Sequence, residues 1–162
     1  MIDAWRRSRQ FRRKVQAAGK RIAGRDWVPI QTIQIPQPNQ DHSTDRFAIL
    51  WPTIYDTPHY NLLTCQRQCE LTATDYWAWQ VSLRGIDHPR PDYWIFAMTL
   101  RLRTLHDSIH RDGYRLQCVA DRIAIMPSRI TPNSVLWDGA HRLACLAAER
   151  WVLVPVVVIR RD

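Results

Sequence analysis

The segment from Val135 to Ile159 constrains the fold more than any other part of the chain. It reads Val135-Leu136-Trp137-Asp138-Gly139-Ala140-His141-Arg142, then Leu143 to Arg150, then Val152-Leu153-Val154-Pro155-Val156-Val157-Val158-Ile159. This spells an apolar strand, a tight Asp-Gly turn, a short helix opening with His-Arg, and a second, β-branched strand. Leu143 to Ala148 are consecutive apolar or small residues, so the helix is buried on most sides. Its polar side chains stand only at its ends: His141 and Arg142 at the start, Glu149 and Arg150 at the finish.

The start of such a helix presents unpaired backbone N–H groups and the positive end of the dipole, which together favour an anion. Gly139 lets a ligand approach the backbone closely. Arg142 can grip a phosphate with its planar fork. Asp138, Gly139, Ala140, His141 and Arg142 therefore read as a phosphate-binding turn. A structural reading competes: Asp138 is a good N-cap, and it stands four residues before Arg142 in the favourable order for a helix pair. The residues alone leave both readings open.

Asp138-Gly139-Ala140-His141-Arg142, followed by a small-residue helix and Val-Pro-Val-Val-Val, resembles the Asp-Gly-x-His-Arg signature of the ParB/sulfiredoxin superfamily. The match covers about residues 133–159. Trp27 to Pro36 is similar to that superfamily's first strand, and Thr57-Pro58-His59-Tyr60 resembles a segment of ParB-like proteins that accompany cell-surface polysaccharide genes. The resemblance implies an α/β fold with a mixed sheet and flanking helices. It also implies that the His-Arg turn binds nucleotide phosphates, with ATP or another NTP and Mg²⁺ as the expected ligand.

Departures from the superfamily narrow the reading. Ala140 stands where sulfiredoxins carry their reactive cysteine, so that chemistry lacks its nucleophile. The partition proteins continue into a helix-turn-helix domain, whereas this sequence stops at Asp162. The free-serine kinases use a glutamate after the first strand. Residues 36–46 contain no Glu, leaving Asp41 or Asp45 as substitutes. Members usually end the signature helix with glycine, while this chain runs Glu149-Arg150-Trp151.

At 162 residues the chain is expected to be one domain with a real core. No run of eighteen apolar residues is present and the N-terminus lacks an apolar signal segment, so a cytoplasmic protein is expected. Cys65, Cys69, Cys118 and Cys145 are expected to be reduced, Cys145 as plain core. Cys65 and Cys69 near His59 make a poor zinc pattern without a second pair. Charge is uneven. Of 23 basic residues nine lie in residues 1–25 with only Asp3 opposing them, so that segment holds the whole net charge of +8. The balance of the chain is neutral, which argues against the folded domain being a general nucleic-acid binder on overall charge alone.

Ala4, Phe11, Val15, Ala18 and Ile22 form a thin helical stripe among arginines, with Gly24 as a C-cap. Residues 1–25 thus read as a basic amphipathic helical extension to a domain at 26–162. It packs on the domain, stands as a solvated arm, or meets an anionic partner, either nucleic acid or a membrane surface. Strands are expected at Val28–Ile35, Phe47–Trp51, Tyr114–Val119 and Arg122–Met126. A helix opens at Thr57-Pro58, a good N-cap followed by Pro at the first helical position. Asp75-Tyr76-Trp77 and Asp92-Tyr93-Trp94 begin two further helices, the second ending at Asp112-Gly113. The aromatics Tyr76, Trp77, Trp79, Tyr93, Trp94 and Phe96 can stack bases or sugars but are expected to be core. His59 and Tyr60 form a secondary candidate polar pair. His106 and His110, four apart without the intervening glutamate of a metal motif, read as surface histidines.

The function expected from these features is a nucleotide-dependent enzyme, a phosphotransferase or nucleotide hydrolase, with His141 and Asp41 or Asp45 as catalytic groups. The alternatives are a non-catalytic ligand-binding or scaffold protein that keeps the phosphate turn, and a nucleic-acid-binding accessory acting through residues 1–25.

Overall fold

The computed structural model describes residues 2–36, 50–65, 70–83, 91–127 and 133–161. The anticipated mixed α/β architecture is present. Among the described residues six strands lie in the order β1-β6-β4-β5-β2-β3: β1 is Lys20–Pro29, β2 Ile33–Pro36, β3 Leu50–Trp51, β4 Ile123–Pro127, β5 Ser134–Asp138 and β6 Leu153–Arg161. β6 pairs antiparallel with β1 and parallel with β4, and β4 pairs antiparallel with β5. β2 pairs parallel with β5 and antiparallel with β3. The helices are α1 Ile2–Ala17, α2 Pro58–Thr64, α3 Asp75–Ser82, α4 Asp92–Asp112 and α5 Ala140–Ala148. Among the described residues no helix is long and apolar enough to cross a membrane.

The sheet is covered on both faces, and the period-two alternation of its strands decides which residue meets which cover. Val154 and Val156 of β6, with Ile123 and Ile125 of β4, join the large core beneath α2, α4 and α5. Val157, Ile159 and Ala124 point the other way and meet Phe11 and Val15 of α1. The strand–turn–helix–strand reading of residues 135–159 matches β5, α5 and β6. Leu143 to Ala147 are buried, as an all-apolar helix requires.

Several local expectations are corrected. The N-terminal helix does not run to Ile22. It ends at Ala17, and Gly19 in the left-handed region (φ 63°) turns the chain into β1. Ile22 therefore packs from a strand, and Gly24 flanks a β-bulge instead of capping a helix. β1 crosses the expected boundary at residue 25, and α1 is packed, not a solvated arm. The strand expected over 28–35 is split by a 3₁₀ turn at Ile30–Thr32, so its two parts join opposite sides of the sheet. The strand expected over 114–119 does not form. Asp121 accepts hydrogen bonds from the amides of Gln117 (2.9 Å) and Cys118 (2.8 Å), drawing the segment into a 3₁₀ turn at Val119–Asp121.

The two aromatic-led helices form at α3 and α4, yet their matching residues differ in environment. Tyr76 is fully buried, while Tyr93 is 77% exposed and Phe96 and Trp94 are also exposed. The core reading thus fails for Tyr93, Trp94 and Phe96 of α4. His106 is half-buried, with Nε2 2.8 Å from Glu149 Oε1, and His110 Nδ1 lies 3.1 Å from the same oxygen. The His110 hydrogen bond ties α4 to the end of α5, and His106 lies half-buried beside the same carboxylate, so His106 is not a surface residue. Asp41, Asp45, Phe47 and Cys69 lie outside the described residues.

Candidate functional site at the start of helix α5

Gly139 joins β5 to α5 with φ 105° and ψ 25°, a conformation L side chains rarely adopt. A Cβ at this position would lie 3.2 Å from Arg142 Nη2, because the guanidinium folds back over the turn. The glycine therefore gives room to the Arg142 side chain. No side chain caps α5. Asp138, the expected N-cap, instead accepts a 2.7 Å hydrogen bond from Lys14 Nζ of α1. The first amides of α5 remain without intrahelical acceptors, which is the arrangement that receives anions.

Arg142 also has a structural task. It donates to the Ala120 carbonyl, while the Tyr114 hydroxyl donates to the Asp121 carbonyl beside it. Burial pushes the Tyr114 phenol up to about 12, against the lowering pull of Arg142. Arg142 thus pins the Val119–Asp121 turn to the start of α5 while facing the cleft.

His141 turns inward. Its Nε2 lies 3.1 Å from the Tyr76 hydroxyl, which accepts a 2.9 Å hydrogen bond from Gln80 Nε2. Burial, then the positive charges of Arg101 and Arg142, lower its pKa to about 4. The ring of His59 lies 5.3 Å from that of His141 and 4.9 Å from that of Trp79. Burial, then His141, lowers the His59 pKa to about 3. Both imidazoles are neutral at pH 7. His59 is only 5% exposed, and among the described residues its Nδ1 has no hydrogen-bond partner.

All of these groups except Tyr76 and Gln80, which lie behind them, line one open cleft of about 1600 Å³. Gly139 to Arg142 form one end, with His59 and Trp79 beside them. Leu100, Arg101 and Thr104 of α4 form a wall, and Arg7, Lys14 and Phe11 of α1 close the other side. Of the sequence candidates, residues 138–142 and His59 converge here. Tyr60 does not line the cleft; its ring packs edge-on against Tyr55 at 5.1 Å. Gln80, Lys14 and Arg101 were not singled out as site residues from the sequence, and Tyr76 was expected to be core. Gln80 is the one that carried a signal, a polar residue one turn after Tyr76 on a helix face otherwise destined for burial. Among the described residues no three His, Cys, Asp or Glu side chains gather as a metal set. The chain matched no family model, no curated protein and no solved structure.

Proposed function

We propose that this protein binds a nucleotide, or another small phosphorylated molecule, with its phosphate at the start of α5. The observation that carries the reading is an uncapped helix N-terminus opening on a cleft between Lys14, Arg101 and Arg142. Charge-assisted contacts from such cations, added to the free amides, are the usual way a phosphate is held. Trp79 and Leu100 offer the same ligand an apolar wall. Mg²⁺ would arrive on the phosphates and needs few protein ligands. Asp138 fits that task once Lys14 turns from it to the phosphate. The resemblance of residues 133–159 to the ParB/sulfiredoxin superfamily supports the same ligand class.

Phosphoryl transfer or nucleotide hydrolysis is the second reading, and the Tyr76–His141 pair favours it. Arg101 and Arg142 help hold His141 near 4. A bound phosphate would neutralise them and raise His141 toward the range in which it exchanges protons. Ligand binding would then arm the base. Asp41 or Asp45 would supply the carboxylate.

Thermal-shift titration of the full chain with ATP, ADP, CTP and inorganic phosphate, with and without Mg²⁺, tests the binding. At a concentration about 100 times Kd, a ligand adds about 2.7 kcal/mol of stability, enough for a plain rise in Tm. Lys14→Ala and Arg101→Ala remove exposed cations and are expected to weaken affinity about tenfold, which shrinks that stabilisation by about 1.4 kcal/mol. No rise with any of the four at millimolar concentration would overturn the reading. A third, separate reading is that the basic N-terminal region meets an anionic partner, which the excess positive charge of residues 1–25 supports.

A further inference from the structure

A second concavity, of about 720 Å³, lies between α1, β1 and the turn at Val119–Asp121. Arg9 and Arg12 reach it from α1, Arg25 from β1 and Arg122 from just beyond the turn, around the Trp5 ring. No carboxylate lines it, whereas the cleft at α5 sets Asp112, Asp121 and Asp138 against its cations. Among the described residues none of the four guanidinium groups is in an ion pair. The nearby acid Asp121 is taken by Arg7 at 2.6 Å. Trp5 is 61% exposed, and the Arg9 guanidinium stands 5.3 Å from its ring centre. Four like charges held together without counter-charge repel one another, and an anion bearing several phosphates relieves that repulsion.

We propose that this concavity binds single-stranded nucleic acid, the arginines holding successive phosphates and Trp5 stacking a base. The proposal builds on the anionic-partner reading of residues 1–25 and is independent of the phosphate site at α5. The concave shape and the exposed indole favour a strand over a flat lipid surface, because a strand presents spaced phosphates and π-faces together. Arg122 is the informative residue: it belongs to the concavity but not to the basic N-terminal segment.

Fluorescence anisotropy of the full chain with a labelled oligothymidylate of about twelve nucleotides tests this. Four phosphate contacts predict an affinity loss of roughly 50-fold between 50 and 200 mM salt. Trp5→Ala is expected to weaken binding about tenfold through lost stacking. Arg12→Glu and Arg122→Glu are expected to weaken it at least as much, and Arg160→Glu, an equal charge change outside the concavity, far less. Thermal melts of each variant confirm that it is folded; Trp5 and Arg12 are exposed positions, so at least these two report on binding. Loss with Arg12→Glu but none with Arg122→Glu or Trp5→Ala would sink the concavity while leaving a diffuse basic surface. Equal loss with Arg160→Glu would sink both. Binding to phosphatidylserine vesicles in place of the oligonucleotide would overturn the choice of partner.

Discussion

Gly139 and Arg142 act as one unit, and a single methyl group tests it. Gly139→Ala forces a side chain into φ 105° and sets its Cβ 3.2 Å from the Arg142 guanidinium. The backbone strain alone is about 1–3 kcal/mol. The displaced arginine also loosens its hold on the Ala120 carbonyl. Urea unfolding is therefore expected to show the variant destabilised by at least that amount, with phosphate binding weakened in the same protein. Unchanged stability would mean the turn relaxes freely and is not a rigid anion cradle. The Asp-Gly-x-His-Arg spacing made this turn legible from sequence. The back-folding of Arg142 was not, because its acceptor lies 22 residues away on an irregular segment. The capping role expected of Asp138 was displaced by Lys14, a partner 124 residues away. The C-terminal end of α5 is instructive too. Arg150 adopts φ 60°, the left-handed conformation that a glycine normally supplies, so the geometry of the stop is kept without the residue.

At the scale of elements, α1 is part of the fold and carries the lesson about charge. Its stripe looked thin because nine basic residues surround it, yet Phe11 and Val15 are 6% and 1% exposed against Val157 and Ile159. A sequence window weighs the arginines that face water as heavily as the two residues that matter for packing. β1 follows at once and makes the long antiparallel pairing with β6 from Lys20 to Pro29. Removing residues 1–25 would strip off α1 and more than half of that strand. Truncation to 26–162 is expected to abolish cooperative unfolding, as monitored by circular dichroism. The milder change Phe11→Ala is expected to cost about 3–5 kcal/mol in the intact chain. A truncated domain that melts like the full chain would show that α1 and β1 are an appendage after all. The strands expected at 28–35 and 114–119 failed for a related reason. Pro29 and the Asp121 side chain impose turns whose effect depends on where the neighbouring chain goes, which periodicity does not encode.

Over the whole molecule, the site leaves a mark on stability against pH. His59 and His141 are far apart in sequence and read separately as a helix-start residue and a turn residue. Only the packing of α2 against α5 brings their ring centres within 5.3 Å of each other. Their folded-state values, about 3 and about 4, lie below the ordinary 6.5. As pH falls, the unfolded chain takes up these protons first, so stability is intact above about pH 6.5 and is lost on acidification toward 4 and then 3. Each group contributes at most about 1.4 kcal/mol per pH unit across its window. His59→Phe separates this from carboxylate titration common to any protein. It removes one of the two protons, so the fall in stability between pH 6.5 and 4 is expected to be shallower by up to that slope. It also replaces a buried, unpartnered Nδ1 with carbon, which relieves a desolvation cost of about 1–3 kcal/mol and is expected to stabilise the ligand-free protein at pH 7. Urea unfolding at several pH values measures both effects. A variant less stable at pH 7, with the wild-type acid slope, would mean that His59 is paired in solution and that this wall of the cleft is structural. A more stable variant with weaker ligand binding would mean that the chain keeps an unpaired imidazole at the cleft for what binds there.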